Sequence, residues 1–174
     1  MNKKLENKLF SIAGALLVCV VAFIGIVSLT SCDKLGIGLS AADIEKANTT
    51  SYFAGLNSIA KDFDTALTDF QADVKDKNID AMKEKVDKAQ KLIDKLDKLE
   101  VPQNCEDVQK AYLDGFIQMQ GALSNYVSVY SDYLGGEYDP NVLSEQITNL
   151  KHSYEQGTAM IKQADKLAAE KNKD

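Results

Sequence analysis

From Phe53 to Ala168 apolar residues return every three or four positions, and no stretch sustains an apolar/polar alternation. A recurrence near 3.6 lines up one face of an α-helix, whereas a half-buried strand needs a period of two. A helix with a single apolar stripe cannot hide that stripe alone. The chain is therefore restricted to helices that bury their faces against one another.

The breaks in the pattern divide it into four. The spacing predicts a first helix over about 41–75, with Ser40 and Asp43 as a capping pair. Its stripe is Ile44, Phe53, Leu56, Ala60, Phe63, Leu67, Phe70 and Val74. The polar run Asn48-Thr49-Thr50-Ser51 allows a later start or a kink. A second helix, about 79–99, carries Ile79, Met82, Val86, Ala89, Ile93, Leu96 and Leu99. Val101-Pro102 closes it, because the residue before a proline is pushed out of the α region. Asn104 is the expected cap of a third helix, about 105–134, with Val108, Tyr112, Phe116, Met119, Leu123, Tyr126 and Tyr130 inward. Gly135-Gly136 ends it. Asp139 caps the fourth, about 140–170, and Pro140 takes the first helical position, where its missing N–H costs nothing. Leu143, Ile147, Leu150, Tyr154, Gly157, Ile161, Ala164 and Ala168 form a clean heptad there.

Connections this short make neighbouring helices run antiparallel. The expected fold is all-α, an up-down-up-down antiparallel four-helix bundle over residues 42–174. The alternative is an elongated three-helix arrangement with the second helix packed loosely.

The N-terminus has a different character. Lys3, Lys4 and Lys8 precede the 21-residue apolar run Leu9–Leu29, interrupted only by Ser11 and Ser28. Leu29-Thr30-Ser31-Cys32 follows and resembles the lipobox of bacterial lipoproteins. The resemblance implies that residues 1–31 are a signal peptide and that Cys32 is acylated as the mature N-terminus. Residues 32–41 then form a short tether holding the domain close to the extracytoplasmic face of a cell membrane. Two or more acyl chains suffice for stable anchoring. The run is also long enough to span a bilayer of about 30 Å as an uncleaved anchor, which would leave residues 33–174 on the same side.

Removing residues 1–31, with three Lys and Glu6, leaves 17 lysines against 25 acids, a formal charge of −8. All 20 basic residues are Lys. An acidic surface without arginine argues against nucleic acid as a partner. It argues equally against electrostatic adhesion to anionic lipid, so the membrane is held through the N-terminal lipid. Of the three cysteines, at 19, 32 and 105, only Cys105 would remain as a thiol. It is expected to be inert or to form a disulfide with another protein.

Candidate sites are few. His152 is the single histidine. It lies two residues from both Leu150 and Tyr154, about 200° around the helix, so it faces solvent. Haem and di-metal bundles need core-facing histidines, and no cofactor or metal is expected. Asp76, Asn78, Asp80 and Asp87 sketch a calcium loop, but Ala81 stands where that loop requires Gly, and the bidentate Glu is missing. A turn and a cap explain these residues better. Tyr126, Tyr130 and Tyr133 share one helical face, and Tyr138 follows in the loop. This strip would either stack against a wall polymer or partner protein, or border the core.

No catalytic constellation is visible, so a non-enzymatic binding or interaction module of the cell envelope is expected. Its partner would be an envelope protein or cell-wall polymer. The alternatives are an accessory subunit or enzyme of envelope metabolism, or an extracytoplasmic chaperone or stress sensor. Cys32→Ala is expected to abolish lipid attachment and leave the leader uncleaved. Mass spectrometry of the native protein checks this, and an intact N-terminus with unmodified Cys32 would contradict it.

Overall fold

The computed structural model describes residues 40–136 and 139–172. The leader, Cys32, nearly all of the expected tether and Tyr138 lie outside the described residues. Four helices follow in order: α1 (Ala41–Lys75), α2 (Ile79–Asp97), α3 (Glu106–Gly135) and α4 (Pro140–Lys171). A 3-10 turn, Gln103–Cys105, precedes α3, and no strand occurs among the described residues.

Local chemistry accounts for most of the boundaries. Ser40 and Asp43 form the expected capping box. The Ser40 hydroxyl oxygen accepts from the Asp43 N–H at 3.2 Å, and the Ser40 N–H donates to the Asp43 carboxylate at 3.0 Å. α1 then runs unbroken through Asn48–Ser51, with the Thr50 hydroxyl donating back to the Lys46 carbonyl at 2.8 Å. Between α1 and α2, Lys77 adopts a left-handed φ of 57°, and Asn78 caps α2 by accepting from the Ala81 N–H at 3.1 Å. Gly136, at φ 74°, closes α3. Asp139 accepts from the N–H groups of Asn141 and Val142, with Pro140 opening α4.

The α2–α3 connection departs from expectation. Asn104 is not the cap: it lies inside the 3-10 turn, and the capping position falls to Cys105 without a side-chain bond. α2 ends two residues early, at Asp97. Buried Gln109 explains the junction, since its amide donates to the carbonyls of Leu96 at 2.6 Å and Leu99 at 3.3 Å. Both are helix-end acceptors; Leu96 also accepts from the Leu99 N–H at 3.1 Å, and the buried amide adds a second bond there.

The helices run up-down-up-down. Lys85–Asp73 and Lys88–Asp69 ion pairs cross from α2 to α1 with opposite numbering order, as antiparallel neighbours require. Between α1 and α3 the order is the same: Phe63 stacks on Phe116 at 4.0 Å, and Phe70 meets Tyr126 edge-on at 5.8 Å. α2 packs closely on both α1 and α3 and buries Met82, Ala89, Leu92, Ile93 and Leu96. That leaves no place for the three-helix alternative.

Ile44 is 48% exposed, contrary to its expected place in the stripe. Burial on α1 begins at Tyr52, and the Gly55 position already meets Leu99, just past the end of α2. The residues before Asn48 project further: 43–47 are all exposed, about 8 Å of helix at 1.5 Å per residue. α1 thus begins as a short projecting stalk, with Asn48 at its base.

α3 and α4 approach most tightly through a reciprocal arrangement. A Cβ on Gly115 would lie 2.8 Å from Ile161 Cγ1 and 3.2 Å from the Ile161 backbone nitrogen. One on Gly157 would lie 2.7 Å from Met119 Cγ and 3.1 Å from the Met119 nitrogen. Each helix offers a glycine to the large residue of the other, four positions apart on both. We expect Gly115→Ala and Gly157→Ala each to lower stability by about 1–3 kcal/mol through overpacking, although alanine favours helix by about 1 kcal/mol. Gly121, with nothing within 4 Å of its Cβ position, is the control: Gly121→Ala should stabilise by about 0.5–1 kcal/mol. Urea unfolding of the three variants measures the sign.

Candidate functional site

The tyrosine strip belongs to the interior. Tyr126, Tyr130 and Tyr133 are 2%, 1% and 5% exposed, so they are not a presented surface. Their rings follow one another at 5.9 and 6.5 Å along α3. The cause is the spacing that suggested the strip, because it continues the core face of Tyr112, Phe116, Met119 and Leu123. Exposed apolar side chains at that end of the bundle come instead from Leu134 and Val142.

The other sequence candidates are also placed. Cys105 is fully buried, and burial pushes its thiol up, so the inert alternative describes it. A disulfide to another protein would require that end of the bundle to open. His152 is exposed and hydrogen-bonds Gln156 at 3.0 Å. Among the described residues, no group of three or more His, Cys, Asp or Glu is arranged to hold a metal, and no helix is long and apolar enough to cross a membrane.

A buried polar pair was missed. The Tyr112 hydroxyl on α3 donates to the Asp165 carboxylate on α4, and both side chains are at least nine-tenths buried. Asp165 follows core residue Ile161 by four positions, which was the available signal.

Concave regions among the described residues include two without a role so far. The first follows the α3–α4 seam: Asn125, Ser128 and Val129 face Gln146, Asn149, Leu150 and Ser153 around a groove of about 200 Å³. The polar row continues along the seam, where the Gln118 amide donates to the Ser153 carbonyl at 3.5 Å and to Gln156 at 3.4 Å. Val129 and Leu150 are the apolar members of the lining, and none of the seven residues is charged. The setting is unusual: 26% of the chain is charged, yet Gly115–Ser131 contains no Asp, Glu, Lys or Arg. Donors and acceptors here are amides and hydroxyls, each able to do both.

The second region is a cleft of about 410 Å³ beneath the projecting start of α1. Asn48, Ser51 and Tyr52 form one wall, and Leu99, Glu100, Val101 and Pro102 form the other. Tyr52 is 2% exposed, and its buried hydroxyl finds no hydrogen-bond partner among the described residues.

Comparison with protein-family models, curated proteins and solved structures found no match to this chain. The site is therefore argued from its chemistry alone.

Burial raises the pKa of Tyr52, Tyr112 and Tyr126, and for Tyr112 the bond to Asp165 adds to the shift. Unfolded tyrosine titrates near 10. The folded state retains these protons longer, so stability is intact below about pH 10 and falls as pH rises above it. Each buried ring should contribute about 1.4 kcal/mol per pH unit to that fall, and Tyr126→Phe should remove one such increment. Urea unfolding at about pH 9 and about pH 11 tests the sign, and equal stability at the two would contradict it.

Proposed function

We propose that this protein is a lipid-anchored, non-enzymatic binding module on the extracytoplasmic face of a bacterial cell membrane. Cys32 carries the lipid, and the α3–α4 seam engages a component of the envelope, a protein or wall polymer. The observation that carries this reading is the uncharged groove within the α3–α4 seam of a strongly charged chain. Charged side chains favour hydration and keep surfaces apart, whereas a neutral amide-lined groove is cheaper to desolvate when a partner covers it. The stalk supports the same reading. The groove is level with the last turns of α1, about 45 Å along that helix from Ser40 at 1.5 Å per residue.

The second reading, a sensor of a small ligand, draws on the cleft at the stalk, which is larger and contains the Tyr52 hydroxyl, unpartnered among the described residues. The two are separable. Ser128→Lys with Asn149→Lys places charges on exposed positions of the seam, and Glu100→Lys reverses the charge already present at the cleft. With the full-length protein in native envelopes, the seam variant is expected to lose captured material, a cost on the order of 1–2 kcal/mol, with melting temperature nearly unchanged. Loss through Glu100→Lys alone would favour the cleft, and unchanged capture by both variants would contradict the binding-module reading.

A further inference from the structure

We infer that the α3–α4 seam binds an uncharged, polyhydroxylated chain: a neutral glycan lying along the groove. This inference rests on the seam being the binding surface. It follows from what the lining contains and what it lacks. Asn125, Gln146 and Asn149 supply amides, and Ser128 and Ser153 supply hydroxyls. Sugar hydroxyls donate and accept at once, and these groups are the side chains that answer in kind. Val129 and Leu150 are buried and close the floor of the groove, so the groups it presents are the amides and hydroxyls.

Other polymers fit less well. An anionic polymer needs clustered cations, and a basic peptide needs acids; the lining has neither. Of the charges flanking it on α4, Lys151 and Glu155 pair with each other at 3.7 Å, and the exposed Glu145 beside Gln146 would repel an anionic polymer. The polar row also extends from Gln146 to Gln156 on α4 and back to Gln118 on α3, a length of about 15 Å at 1.5 Å per residue. That shape suits an extended chain better than a compact ligand.

The test uses the full-length lipidated protein in detergent micelles and isothermal titration calorimetry. The probes are the tetramer of N-acetylglucosamine, a neutral glucose tetramer and, as a charge control, a galacturonic acid tetramer. At least one neutral oligosaccharide is expected to bind and the anionic one not to. Asn125→Asp and Asn149→Asp preserve shape at exposed positions but remove a donor and add a charge. Each should weaken neutral-glycan binding about tenfold with the melting temperature unchanged. Neutral-glycan binding that ignores both variants would overturn the assignment, as would equal binding of the anionic tetramer. No binding of either neutral probe would overturn the glycan while sparing the binding-module reading, provided envelope capture still responds to Ser128→Lys with Asn149→Lys. If capture is also insensitive, both readings fall together.

Discussion

The close approach of α3 and α4 through Gly115 and Gly157 is the constraint on which the rest of the arrangement depends. Two glycines opposite Ile161 and Met119 let the backbones come nearer than any residue with a Cβ would allow. Interiors are packed like crystals, so a shift of a few tenths of an ångström at this crossing would be felt along both helices. The Tyr112–Asp165 bond spans the same interface and is buried within it. The neutral groove is the outer edge of the same interface, and its depth and alignment follow from the spacing of the two helices.

The α1–α2 pair completes the core in a different manner. It meets α3 through aromatic rings, Phe63 on Phe116 and Phe70 against Tyr126. Each large side chain fully removed from water contributes roughly 1.5–3 kcal/mol. Its outward faces carry the charges, and the α1–α2 ion pairs are long, at 3.9 Å, and partly solvated, so they contribute little to stability. The α1–α2 side thus keeps a hydrated, charged exterior, while the α3–α4 groove is lined by uncharged residues and the Lys171–Asp107 pair crosses the same two helices at their other end, at 3.4 Å.

The helices were legible because caps, proline, glycine and apolar period all agree, as they do when local preference and global fold coincide. The fourth helix is the clearest case: each of its eight heptad residues from Leu143 to Ala168 is buried. The first was less legible because α1 packs against both α2 and α3, so its buried arc is wider than one stripe. Tyr52, Ile59 and Ala66 are buried beyond the expected set, while Ile44 has no neighbour to cover it. Polar side chains recruited to the interior, Gln109 and Asp165, were hidden because their partners lie on other elements or across a turn. The seam was legible only as an uncharged run from Gly115 to Ser131. Its groove appears once the lateral pairing of two helices is known.

A bundle organised around one interlock should be most resistant to opening there. Native-state hydrogen exchange measures this directly, because amides that open only with global unfolding report the full stability. Backbone amides of residues 115–123 and 157–164 are expected to exchange only through global unfolding, while those of the projecting stalk, residues 44–47, exchange quickly. Local opening of the seam amides, with α1 and α2 remaining protected, would contradict the central place given to the Gly115–Gly157 crossing.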